Sequence, residues 1–264
     1  MDIPQHLPHA DPREQARLDR RRFLGALFMS AIFVSALWWI ELIGNWLGTS
    51  FTGLGVAPRT WSGLVGILAS PLIHASVDHL IHNTLPLLVL GTLAIAIYPR
   101  AFKPALAMIW IGSGFGIWLF GRDSFHIGAS GVNHGLMFFL FVLGLLRRDR
   151  PAIAAAMIAF FLYGGMLLTV LPGDPKISWE AHMFGAIFGV LAAILFFRRD
   201  PAPPRKHYSW ELEEETLEPL EDALASRDRQ AYEPTASDEV PVLWKRPEPE
   251  DEPRGVVLPF RKPE

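Results

Sequence analysis

The chain has 264 residues, half of them apolar, with 9 Trp, 18 Phe and a positive mean hydropathy, a composition too apolar for an ordinary soluble domain. It contains no cysteine, which excludes a disulfide framework, a thiol nucleophile and a thiolate metal site. The net charge of -3 conceals a division: through Arg198 the chain carries 14 basic and 10 acidic residues, and from Arg199 onward 10 basic and 17 acidic.

Residues 1–22 are polar and end in Arg20-Arg21-Arg22. The apolar run at 23–47 is too long for the core of a signal peptide and lacks a small-residue cleavage site, so it reads as an uncleaved span. Further apolar segments at 80–98, 105–120, 131–146, 152–171 and 181–197 predict an all-α membrane protein of six helices. The stretch 61–73 is short, interrupted and stopped near Pro71, which suits an interfacial or re-entrant loop better than a seventh span. Basic residues at Arg20-Arg21-Arg22, Arg100/Lys103, Arg147-Arg148-Asp149-Arg150 and Arg198-Arg199 alternate with loops holding only Arg59, Arg122 and Lys176. Both termini are therefore expected in the cytoplasm, with loops 48–78, 121–129 and 172–180 facing outward. Residues 199–264 are acidic and Pro-rich and read as a disordered cytoplasmic tail, with a short helix possible at 208–224. Its apolar spots at 240–244 and 256–260 suit either docking motifs or a merely solvated segment. The organisation expected is thus a polar segment at 1–22, a membrane domain at 23–198 and a tail at 199–264.

Three spans carry polar groups that lipid would penalise. Asn83 lies 17 residues from Arg100, Ser130 lies 17 from Arg147, and His182 lies 16 from Arg198. At about 1.5 Å per residue these distances put all three at one height, a few Å below the outer surface of a hydrocarbon core about 30 Å thick. Polar groups at such depth normally face a partner or a water-filled cavity. Gly131 and Gly135 follow the serine, and Ala181, Gly185 and Gly189 flank the histidine, in rows of small residues that let two helix backbones approach. Ser130 and His182 can then form a dyad in which the imidazole takes the hydroxyl proton and returns it to a leaving amine. His79 and Asn83, one turn apart, can line an oxyanion site with the amide at the start of the fourth span, and His74 precedes them in the loop.

His74-x4-His79-x3-Asn83, Gly128-Ala129-Ser130-Gly131 opening the fourth span, and Ala181-His182-x2-Gly185-x3-Gly189 in the sixth together resemble the rhomboid intramembrane serine proteases over residues 23–198. The resemblance implies a six-helix rhomboid fold, Ser130 as nucleophile, His182 as general base and acid, and His79, Asn83 and Gly128 around the oxyanion. It implies cleavage of single-pass transmembrane substrates near the outer face of the bilayer, with the substrate helix arriving between the second and fifth spans. His74, Gly131, His134, Gly185 and Gly189 would support the site structurally. Two positions depart from the family pattern: His134 stands where many relatives have a tyrosine packed on the histidine, and the first outer loop has only Arg59-Thr60-Trp61 as an echo of a Trp-Arg pair.

Each residue also has a plainer reading. Ser130 suits a helix N-cap, His182 a buried histidine bonded to backbone, and His79 with Asn83 a tie between helices. His82 and His126 read as peripheral, and Glu41 as interfacial. A metal-dependent protease would need H-E-x-x-H, which is absent, and a soluble hydrolase would need G-x-S-x-G. The histidines could bind a metal in a transporter, but no intramembrane carboxylate completes a pathway. No cofactor, metal or nucleic acid is expected. The main competing function is a non-catalytic rhomboid-like protein that holds transmembrane helices, for which both Ser130 and His182 would be superfluous.

Overall fold

The computed structural model describes residues 12–174, 177–201 and 223–227. Helix α1 covers Pro12–Leu47, α2 Gly63–Ala69, α3 Val77–Ile97, α4 Pro99–Phe120, α5 Ser130–Arg147, α6 Arg150–Tyr163 and α7 Trp179–Phe196. After α6 the chain tightens into a 3₁₀ segment, Gly164–Val170, which completes the fifth span. Among the described residues, six helical segments are long and apolar enough to cross a membrane, and α2 with the 3₁₀ turn after it is not. The stretch 61–73, expected as an interfacial or re-entrant loop, instead forms a seven-residue helix and a 3₁₀ turn, too short to be a span. Helix α1 begins at Pro12, eleven residues ahead of the apolar run, because the polar first turns carry no breaker and a proline suits a helix start. Of the expected tail, 199–201 and a helical turn at 223–227 are described; the rest, with most of the helix expected at 208–224, lies outside the described residues.

Helix ends follow local chemistry. Ser76, Asp149 and Ser178 cap α3, α6 and α7 by accepting from the backbone N–H groups of His79, Ala152 and Ala181. Helix α5 is the central element: 61% of its span is buried, against 17% for the fifth span. It packs on α7 with almost no side chain between the backbones. A methyl group at Gly185 would run into the Gly131 carbonyl, and one at Gly189 into the Gly135 carbonyl. The apolar core fills the rest of the bundle with Leu37, Leu80, Leu90, Ile109, Phe139 and Leu140.

The two ends of the bundle differ. At the end rich in arginine, Arg147 at the close of α5 donates to the carbonyls of Phe197, Asp200 and Pro201 and pairs with Asp149. The buried Asp200 carboxylate accepts from the N–H groups of Arg100 and Ala101, both at 2.9 Å, and so covers the start of α4. At the opposite end the first long loop is sewn to the loop after α4. Val56 and His126 exchange two backbone hydrogen bonds of 3.0 Å. Arg59, held at φ 59°, donates to the Gly121 carbonyl and pairs with Asp123. The tight seating of α2 uses glycine again, since a Cβ at Gly66 would strike the Gly55–Val56 backbone. Trp46 and Trp61 stand exposed on this side, where amphipathic rings anchor a protein at the headgroup level.

Candidate active site

Ser130 is the first residue of α5, and Ala129 precedes it as the cap residue without a side-chain bond. The Ser130 and Gly131 amides belong to the first turn, where a helix offers no internal acceptor. His182 sits on the first turn of α7, and the Gly131–Ala181 and Gly131–Gly185 contacts bring that turn against the start of α5. The two residues singled out on separate spans therefore lie on helices in backbone contact at their heads.

The tautomer of His182 follows from its neighbour. Its Nδ1 lies 3.0 Å from the Thr169 carbonyl oxygen, which only accepts, so the ring proton is on Nδ1. Nε2 is left with its lone pair, the form a base needs. Among the described residues, the group that orients this imidazole is thus a backbone carbonyl of the 3₁₀ segment and not a carboxylate. His134 stacks on His182, with ring centroids 3.9 Å apart and planes 13° apart, as the family's tyrosine would be expected to pack. Its Nδ1 donates to the Ser130 carbonyl at 2.7 Å, and its Nε2 meets the Thr169 hydroxyl at 2.8 Å. The Thr169 hydroxyl also lies 2.9 Å from the Met166 carbonyl, so its single proton is shared between that oxygen and His134 Nε2. A single threonine of the fifth span thereby holds both histidines.

On the other side of Ser130, Gly128 has φ +107° and lies so close to the His79 ring that any Cβ there would overlap it. His74 is buried, meets His79 edge-on at 5.1 Å between centroids, and accepts the Ala129 N–H on Nε2 at 3.4 Å. Burial, followed by the neighbouring His79, pulls its pKa from 6.5 down to about 4. Asn83 donates its amide to the His79 carbonyl at 2.9 Å and accepts from Asn133 Nδ2 on its own oxygen, also at 2.9 Å. The His79 carbonyl, which only accepts, and the Asn133 amide together fix which end of the Asn83 side chain is the donor.

Sequence reasoning singled out neither Asn133 nor Thr169. Asn133 carried a signal, being an intramembrane amide one turn after Ser130, whereas the decisive group of Thr169 is a carbonyl that every residue possesses. Glu180 was also passed over: it is 1% exposed and accepts from the Arg122 backbone at 3.3 Å, with the Arg122 guanidinium at 3.4 Å. His82 is exposed beside Asp78, and Glu41 accepts from Asn45 on α1. Among the described residues no three His, Asp or Glu side chains converge as a metal set.

Six apolar spans among the described residues define an integral membrane protein, with this polar cluster near one end of the bundle. The chain belongs to the rhomboid family: the profile of the Rhomboid domain matches residues 60–199. Proteins of that family are in general intramembrane serine proteases that act on transmembrane substrates in the bilayer. Similar proteins occur in mycobacteria. One from Mycobacterium tuberculosis, described as uncharacterized, is 40% identical over 183 residues, covering 66% of this chain and 75% of its own. One from Mycobacterium bovis matches to the same extent, and one from Mycobacterium leprae is 39% identical over 215 residues, covering 78% and 83%.

Proposed function

We propose that the chain is a serine-type intramembrane endopeptidase in which Ser130 is the nucleophile and His182 the general base and acid. The observation that carries this reading is the Thr169 carbonyl on His182 Nδ1, which leaves Nε2 as acceptor on a helix packed head to head with that of Ser130. Nε2 takes the Ser130 proton as Oγ attacks the substrate carbonyl carbon, and the resulting imidazolium gives that proton to the departing amine as the peptide bond breaks. Water then repeats the cycle on the acyl-enzyme, releasing the acid and restoring Ser130. Negative charge on the tetrahedral oxygen meets the N–H groups at the start of α5, with Asn83 and His79 as further donors. In known hydrolases one such donor is worth roughly 3–4 kcal/mol.

The basic ends of the loops support an orientation with both termini in the cytoplasm of a bacterial cell and the site near the outer face. A substrate helix reaches Ser130 laterally between α3 and the fifth span, which is the least buried of the six. The loop after Val170, including Pro172, Gly173 and Asp174, closes over the site from outside. A crosslink from that loop to the first outer loop should stop cleavage of a transmembrane substrate while a small probe still reaches Ser130; unchanged cleavage would refute the moving cap.

The test of the chemistry is reaction of the purified, detergent-solubilised protein with a fluorophosphonate, in wild type, Ser130→Ala and His182→Ala. Labelling of the wild type alone is expected. A folded wild type that does not react would leave a protein that holds helices without cutting them.

A further inference from the structure

His126 precedes Ser130 by four residues, and Ser178 precedes His182 by four. Read from sequence, His126 is peripheral; in the fold it is 2% exposed and joins the two chain segments that lead into α5 and α7. Its Nε2 faces the Arg122 carbonyl at 3.0 Å, with Ser124 Oγ at 3.3 Å. A carbonyl only accepts, so Nε2 carries the proton and Nδ1 accepts from the Ser178 hydroxyl at 2.6 Å. Ser178 Oγ accepts the Ala181 N–H in turn, which makes the same serine the cap of α7. The backbone of His126 is pinned from the other side by its two bonds to Val56.

The glycine contacts between α5 and α7 set how closely the helices approach, but two smooth backbone faces offer little resistance to sliding along the axis. One residue of slide is about 1.5 Å. A tie placed one turn ahead of each reactive residue removes that freedom. We propose that His126 and Ser178 are positioning residues that hold the heads of α5 and α7 in register, so that the Ser130 hydroxyl and the His182 imidazole meet in reactive geometry. This inference rests on Ser130 and His182 forming the acyl-transfer pair. Neither positioning residue acts on the substrate; each works through the helix start that follows it.

The experiment measures the second-order rate of fluorophosphonate labelling and the thermal midpoint of the full-length protein in detergent. The variants are His126→Phe, His126→Gln, Ser178→Ala, Ser178→Thr and the double variant that combines His126→Phe with Ser178→Ala. His126→Phe and Ser178→Ala should each slow labelling about 10- to 100-fold, the scale of a 1 Å misplacement at a reacting centre. The double variant should be no slower than the slower single one, because both remove the same bond. Glutamine at 126, which keeps a donor and an acceptor, and threonine at 178, which keeps the hydroxyl, should recover most of the rate. Folded single variants that label at the wild-type rate would overturn the proposal, as would losses that multiply independently in the double variant. If His126→Phe does not fold, the Ser178→Ala and Ser178→Thr pair decides the matter. Failure of the wild type to label, or equal labelling of Ser130→Ala, would instead sink the catalytic reading on which the inference stands.

Discussion

Single buried polar atoms decide what this site does and under what conditions it survives. His74 binds a proton with a pKa of about 4 in the fold and about 6.5 in an unfolded chain. Above pH 6.5 the ring is neutral in both states and costs nothing. As the pH falls from 6.5 to about 4, the unfolded chain gains a proton that the folded one refuses, and stability is lost by up to about 3 kcal/mol. Thermal unfolding in detergent between pH 7.5 and 4.5 should show this decline, and His74→Gln should make it shallower, the buried His126 adding to the remainder; an unchanged slope would remove His74 as a cause. Asn133 offers a second test. Leucine at 133 leaves Asn83 Oδ1 without its donor and only the His79 carbonyl to hold the amide, so peptide cleavage should fall by up to about 100-fold, the typical effect of losing one oxyanion donor. A rate within threefold of wild type would mean that the Asn83 amide needs no orientation. The spans of the serine, histidine and Asn83 were legible from sequence because a polar side chain in an apolar run is conspicuous. The contacts that set their tautomers and amide orientations were not, since they come from segments distant in the chain.

At the scale of elements, the pairing of α5 with α7 depends on the absence of side chains at a few positions. Alanine at Gly185 would drive a methyl group into the Gly131 carbonyl, and neither backbone can yield without parting the helices. Overpacking of this kind costs about 1–3 kcal/mol, and here it also separates the heads of the two helices. Gly185→Ala should therefore lower the thermal midpoint and abolish fluorophosphonate labelling, whereas Gly25→Ala, which meets nothing within 4 Å, should leave both unchanged. Labelling that survives in Gly185→Ala would show that this contact does not position the pair. The glycine spacing made the close approach readable in advance. The 3₁₀ tightening at Gly164–Val170 was not readable, because two glycines in an apolar run permit several backbone courses and only the packing of Thr169 against His182 and His134 selects one.

For the whole molecule, the end opposite the site is held by Arg147, Asp149 and Asp200, which together bind the junctions of α3 with α4 and α5 with α6 to the exit of α7. Asp200→Ala removes two hydrogen bonds to a buried carboxylate at the start of α4 and should cost about 2 kcal/mol. A chain ended after residue 198, which also loses the Asp200 and Pro201 carbonyls that accept from Arg147, should show a larger loss, and one ended after 204 should show none; equal midpoints for the two would mean that the clasp carries no stability. The sequence by itself determined the six apolar spans, the failure of the 61–73 stretch to be a seventh, and the small-residue faces on which α5 and α7 approach. Those features rest on hydropathy and residue size, which act locally and leave a periodic trace in the chain. Only the tertiary structure decided that a carbonyl of the fifth span orients His182, that Asn133 sets Asn83, and that His126 reaches Ser178. Hydrogen bonds to backbone groups, and those between distant segments, form only where the fold brings the partners together, so no single stretch of sequence encodes them.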